Sequence, residues 1–389
     1  MRTGVFNFLK QDSVHFGTPA ADALLTEALQ RDAQRIFVVT GRTLRRHTDA
    51  VDTVLIQVQD RVVGLFDECI EHTPRESVIS LAAAVRRAEA DLIVSIGGGT
   101  VIDTVKVALV ALAEGLTHAD ELDAWHMRVN ADGTRVVPQP GMPPCRQIAV
   151  PTTLSGAEFS DLGGCTDSRH GVKQGYTGGF IGPAAVILDP RLTLHTPDRL
   201  WLSTGVRAID HAVEALCSIN AQPLIDATSV RALQLLSRSL GRYADDPRDL
   251  GARLDGQMGA WLAATSIRRT EYGASHGLGH ALGADAGVPH GITSCVLLPT
   301  VMRHNATVCG PQLAEVAAAL GDSSTPAADQ VEALIARLGL PTRIGQLDIA
   351  RDRLPIIARK AMANPWVHTN PRKLADEAAV LALLEQAWQ

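Results

Sequence analysis

Hydrophobic positions along the first half of the chain alternate between two patterns. The segment 35–40 carries the unbroken run Ile36-Phe37-Val38-Val39, the mark of a strand buried on both faces. Val51, Val54, Leu55 and Val58 then recur at helical spacing. Beyond Pro74 the pattern predicts a helix over 76–90, a strand over 91–96, a helix over 101–113 and strands over 147–150 and 185–188. Such alternation implies a parallel sheet with helices on both faces. Between 115 and 144 it dissolves into polar, Pro/Gly-rich sequence, read as a surface loop with a flap over a site as the alternative. From Pro197 onward only helical periods remain, predicting helices over 207–218, 229–243, 254–266, 312–320, 327–338, 354–363 and 374–388. The boundary therefore falls near 196, dividing an α/β domain (1–196) from an all-helical domain (197–389). There is no internal repeat.

Composition narrows the function. The 389 residues are 46% hydrophobic, enough for two domains with real cores. A balance of 36 Lys+Arg against 42 Asp+Glu offers no concentrated basic face for nucleic acid. The short cluster Arg45, Arg46 and His47 reads as a solvated helix face. Charged residues interrupt every apolar stretch before about 18 residues, and the start MRTGVFNFLKQDS has no apolar export core. Six cysteines without a C-x-x-C pair read as buried thiols of a reducing compartment, so the cytoplasm is the expected location.

Two constellations carry chemistry. Gly97-Gly98-Gly99-Thr100 follows a buried strand and opens a helix, with Asp103 in its first turn. Glycines let the backbone approach a diphosphate, and the helix start offers free N–H groups and a positive dipole end. The loop after the first strand, Thr40-Gly41-Arg42, has one glycine, so a G-x-G-x-x-G fingerprint is absent. In the second half, His276 and His280 are four apart and share a helix face. The segment 283–287 is expected to break that helix and to let His290 return to the same cavity. With His211, these imidazoles point to a metal or acid/base site.

In this order the motifs resemble those of the iron-containing (group III) alcohol dehydrogenases. The family's GGGSxxDxAK falls on 97–106, its second cofactor loop on Pro151-Thr152-Thr153, and a later strand on Ile187-Leu188-Asp189-Pro190. Its G-x-D-A-x-x-H-A-x-E helix falls on 205–214, and its H-x-x-x-H…PHG signature on His276, His280 and His290. The shortened loop after Thr153 and the ending from Asn370-Pro371-Arg372 to Trp388 are most similar to maleylacetate reductases. The resemblance implies a Rossmann-like parallel-sheet domain followed by a helical domain, the fold shared with dehydroquinate synthase. It also implies an NAD(P)-dependent oxidoreductase, a homodimer, and hydride transfer between the domains. Gly41, Arg42, Gly97, Gly98, Gly99, Thr100, Asp103, Thr152, Thr153, Leu188 and Lys173 are the implied cofactor residues.

Metal-holding members of that family use one Asp and three His, which correspond here to His211, His276 and His290, with Arg207 standing where the Asp would be. Asp210, on another bearing of the helix, is not expected to take its place. A guanidinium about 4 Å from a cation costs roughly 4 kcal/mol per unit charge at an effective dielectric of about 20. A metal-independent site is therefore expected, with Arg207 as an oxyanion or carboxylate clamp, His211 or His276 as further donors, and His280 as proton donor. The bland alternative places Arg207 in solvent or in a pair on its own helix. Gly41 where NADH-preferring relatives carry an acid, followed by Arg42, admits NADPH as well as NADH. The expected substrate is a small, anionic oxo-acid or enone. Alternatives are a metal-dependent alcohol dehydrogenase, a dehydroquinate synthase-like lyase and a non-catalytic nicotinamide-binding protein.

Overall fold

The computed structural model describes residues 5–129 and 134–389. They form two compact units, Asn7–Thr196 and Pro197–Gln389, the second joined by the described residues before Asn7.

The α/β unit runs β1 (Ser13–Phe16), α1 (Ala20–Gln30), β2 (Ile36–Thr40), α2 (Arg42–His47), α3 (Ala50–Leu55), β3 (Val62–Phe66), α4 (Arg75–Arg87), β4 (Leu92–Gly97) and α5 (Gly99–Ala113). It continues through the short ribbon β5 (Arg128–Val129) and β6 (Arg135–Val136), then β7 (Arg146–Pro151), the hairpin β8 (Leu162–Asp167) and β9 (Val172–Thr177), and β10 (Ala185–Leu188). Six strands make one parallel sheet in the order β1-β10-β7-β4-β2-β3. One core packs α4 and α5 on one face of the sheet, the other packs α1 and α3 on the opposite face. From β2 the chain first steps outward to β3, then returns to β4 on the other side of β2 and continues to β7. The order thus reverses between β2 and β4, and in open α/β sheets such a reversal opens a ligand crevice at the carboxyl ends of the strands.

The predicted strands over 91–96, 147–150 and 185–188 coincide closely with β4, β7 and β10. Arg45, Arg46 and His47 lie on α2, which buries no residue. The segment after 115 corrects the reading of a plain surface loop. It contains a 3-10 turn at Ala119–Ala124 and the β5–β6 ribbon, and Leu116 and Leu122 are anchored in the α4–α5 core. Positions 130–133 of that segment lie outside the described residues.

The helical unit comprises α6 (Asp198–Leu216), α7 (Pro223–Asp245), α8 (Leu250–Ala264), α9 (Ala274–Ala286), α10 (His290–Asn305), α11 (Gly310–Leu320), α12 (Ala327–Arg337), α13 (Leu354–Ala361), α14 (Pro365–His368) and α15 (Glu377–Trp388). The break expected over 283–287 falls at its far end only. Gly283 stays helical because its absent side chain makes room for the carbonyl of Val288, and Gly287 ends α9 at φ 66°. Left-handed backbone there suits glycine and closes the helix. Among the described residues no helix is long and apolar enough to cross a membrane.

Candidate active site

The glycine turn lies in the α/β unit at the carboxyl end of β4, beside the reversal point. Gly97 has φ 154°, and a Cβ there would stand 2.8 Å from Val101 Cγ2. At Gly98 a Cβ would meet Thr153 Cγ2 at 3.0 Å, and at Gly99 it would meet Ser155 Oγ at 3.1 Å. The turn is therefore a cradle that side chains would fill. Thr152 seats it by donating its N–H to Gly97 O (3.1 Å), and Thr153 Oγ1 bonds Ser155 Oγ (3.2 Å). Gly98, Gly99 and Thr100 remain half-buried at the head of α5, where first-turn N–H groups have no intrahelical acceptor. This geometry fits a diphosphate.

The other implied cofactor residues divide. Gly41 starts α2 at φ −88°, and a Cβ there would have nothing within 4 Å. Arg42 is exposed, 4.0 Å from Glu68. Asp103 is occupied structurally: its carboxylate accepts from Gly164 N (3.1 Å) and from Lys106 Nζ (3.2 Å), holding β8 against α5. Lys106, fully buried, also donates to the carbonyls of Ala157 and Leu162. The Lys173 side chain passes over Gly164 on the same hairpin, close to Asp103. Leu188 is buried at the end of β10, which is separated from β4 by β7.

The second constellation is built wholly within the helical unit. Arg207, Asp210, His211 and Glu214 occur at i, i+3, i+4 and i+7 along α6, hence on one face, and all four are buried. This corrects the expected bearing of Asp210: it shares the face of Arg207, with Oδ2 3.5 Å from Nη1. Arg207 itself is not in solvent. Its Nη1 donates to Ser294 Oγ (3.1 Å) on α10, and that hydroxyl donates to Asp210 Oδ2 (2.6 Å). Ser275 on α9 donates to the same oxygen (2.8 Å).

Glu214 caps α9. Its carboxyl group accepts from the N–H groups of Gly273, Ser275 and His276 and shares a hydrogen bond with His276 Nδ1 at 2.7 Å. The other ring nitrogen of His276, Nε2, is buried without a hydrogen-bond partner, as is His211 Nδ1. The rings of Tyr272 and His276 stack at 4.0 Å, and those of His276 and His211 at 4.9 Å. Trp366 stands edge-on to His276 and 4.9 Å from His280, whose ring lies 5.2 Å from that of His290. The four histidines are thus linked ring to ring through Trp366. Asn364 Nδ2 approaches His280 Nδ1 at 3.4 Å.

Burial sets the charges here. Desolvation, and then the Arg207 charge, hold His211 and His276 well below the usual imidazole range, so both are neutral. Desolvation also lowers Arg207, raises Asp210 and, with the neighbouring Asp210, pushes Glu214 up to about 8. Neutral His276 thus turns Nδ1 to Glu214 and leaves Nε2 without a partner.

Among the described residues one group has ligand-type atoms close enough for a metal ion: Asp210, Glu214 and His276, all within 4.8 Å of one another. It is not the expected trio of His211, His276 and His290. The group fits a resident cation poorly. Asp210 Oδ1 and His276 Nε2 are buried without hydrogen-bond partners. Glu214 and Asp210 Oδ2, however, already serve others: Glu214 takes three backbone donors and pairs with His276 Nδ1, and Asp210 Oδ2 takes two hydroxyls. The Arg207 guanidinium stands 3.5 Å from Asp210 Oδ2. Repulsion by that guanidinium is of order 4 kcal/mol per unit charge.

Sequence reading missed Asp210 and Glu214 as working groups, together with Ser275, Ser294, Tyr272 and Trp366. The i, i+3, i+4, i+7 spacing along α6 was an available signal. Nothing local marks the serines, which act through tertiary contacts.

Comparison with known proteins agrees with this two-part arrangement. Residues 12–190 match the iron-containing alcohol dehydrogenase model, and residues 201–388 match that of the Fe-containing alcohol dehydrogenase family, C-terminal. The ALT3 dehydrogenase of Alternaria alternata is 35% identical over 84% of this chain and 92% of its own. A maleylacetate reductase of Burkholderia cepacia is 30% identical over 96% of this chain and 95% of its own. The crystal structure of maleylacetate reductase from Agrobacterium tumefaciens superposes with a TM-score of 0.82 at 27% identity, covering 100% of this chain and 99% of that one. The fold and site define an oxidoreductase. The chain belongs to the iron-containing alcohol dehydrogenase family and is similar to its maleylacetate reductases.

Proposed function

We propose that this protein is an NAD(P)H-dependent reductase of a small anionic oxo-acid or enone, working without a tightly bound metal. One observation carries the reading: a buried arginine, tied through a serine to an aspartate, stands among neutral imidazoles where a metal site would need an anionic ligand. Maleylacetate reductases among the relatives support the substrate class.

A bound dihydronicotinamide supplies the hydride. The glycine turn and the head of α5 hold the dinucleotide's diphosphate. Arg207 offers N–H donors to the substrate's carboxylate or to the oxygen that gains charge, a stabilisation worth several kcal/mol in a dry site. Its lowered pKa leaves it protonated at neutral pH, since a guanidinium starts far above that range. His276 Nε2 shares a hydrogen bond with a substrate O–H, and the Tyr272–His276–His211 stack with Trp366 excludes water. His280, half-buried and oriented by Asn364, delivers the proton. With Gly41 and Arg42 after β2, the 2′-phosphate of NADPH meets no carboxylate at those positions.

The test is a panel of oxo-acids and enones assayed with NADH and NADPH, with and without chelator. Steady cofactor oxidation that survives chelation is the expected result. A requirement for stoichiometric iron or zinc would instead identify a metal-dependent alcohol dehydrogenase. Turnover without net cofactor change would identify a lyase, and binding without turnover a non-catalytic protein.

A further inference from the structure

We infer that Asp210 is a positioning residue that turns Arg207 into an anion clamp, acting through the hydroxyl of Ser294. This rests on the reading of Arg207 given above. A buried guanidinium needs a counter-charge, and truncating one member of such a pair leaves the other uncompensated. Asp210 supplies that charge from one turn along the same helix, yet it does not grip the guanidinium directly: 3.5 Å exceeds a good hydrogen bond. Ser294 closes the gap, accepting from Nη1 and donating to Oδ2. Ser275 pins the same carboxylate oxygen from α9, so helices α6, α9 and α10 all fix the relay.

The consequence lies in what the relay leaves open. Among the described residues the hydrogen bonds and ion pair of Arg207 involve Nη1 alone, and the side chain is 10% exposed. Nε and Nη2 together form the planar edge that matches a carboxylate with two parallel N–H bonds. If Asp210 met the guanidinium head-on, it would compete for that edge. Held at one remove by Ser294, it neutralises the charge and orients the fork while leaving the edge for a ligand. The ligand class is a planar carboxylate, the acid group of an oxo-acid.

The experiment is steady-state kinetics on the full chain, using the oxo-acid of the panel with the highest kcat/KM and its methyl ester. Arg207→Ala is expected to lose about 100-fold or more in kcat/KM on the acid and far less on the ester. Asp210→Asn is expected to lose roughly tenfold or more on the acid, chiefly through KM. The double variant should be no worse than Arg207→Ala alone. Added guanidinium ion should partly restore Arg207→Ala but not the double variant. Ser294→Ala should weaken the acid selectively and Ser294→Thr should recover it, which keeps the inference testable if Asp210→Asn does not fold. Near-normal kinetics of Arg207→Ala would overturn the functional reading itself. A crippled Arg207→Ala beside unaffected Asp210→Asn and Ser294→Ala, or losses that simply add and match on acid and ester, would overturn the relay alone.

Discussion

Glu158 shows how one side chain sets a pH response. It is 1% exposed, its Oε2 is buried without a hydrogen-bond partner, and desolvation lifts its carboxyl to about 7 against a partial pull from Lys106. The folded chain therefore keeps a proton that the unfolded chain releases above its ordinary value of 4.5. Unfolding releases a proton in that window, so stability falls as pH climbs from about 4.5 to about 7, by about 3 kcal/mol in all. Glu158→Gln removes the ionisation. Its melting temperature should exceed that of the parent at pH 8 and converge with it at pH 5. A constant offset between the two across this range would refute the assignment. At the same scale, legibility in the sequence was uneven. Arg207 was visible because it breaks a motif. Asp210 was visible as a letter but not as a partner, because its role depends on two serines that are 65 and 84 positions away.

At the scale of elements, periodicity found what burial makes periodic. β2, β4, β7 and β10 are buried on both faces and read as continuous apolar runs. β3 is an edge strand only partly buried, and the β8–β9 hairpin carries glycines at 163, 164 and 175 in place of branched residues, so neither announces itself. The hairpin is held by contacts instead, Asp103 to Gly164 above all. The β4–α5 turn was legible because glycine is the residue its backbone demands. Gly97→Ala would place a side chain in a region nearly closed to L residues and 2.8 Å from Val101 Cγ2. Dinucleotide affinity, read by fluorescence titration, should drop at least about tenfold, equivalent to about 1.4 kcal/mol. Unchanged binding would mean that the diphosphate does not rest on this turn.

At the scale of the molecule, each unit has its own core and its own part of the chemistry. The glycine cradle belongs to Asn7–Thr196 alone, and the Arg207–imidazole cluster to the helical unit alone. A dinucleotide that binds the folded α/β unit stabilises it by about 2.7 kcal/mol at a hundred times its Kd. Hydrogen exchange with NADPH present should therefore slow first in β2, β4 and the start of α5. Protection confined to the helices after Pro197 would contradict that division. The two-part plan was readable because a change from mixed to purely helical periods is a property of long stretches. How the imidazoles stack was not readable, since it depends on Tyr272 and Trp366, which are separated by a long span of sequence.

The empty space around the α-carbon of Gly41 has an evolutionary reading. Its backbone is in an extended conformation open to side chains, and a Cβ there would have nothing within 4 Å. Under the proposed cofactor role of Gly41, selection can therefore rewrite this position, exchanging one cellular pool of reducing equivalents for the other, while the sheet beneath it stays as it is.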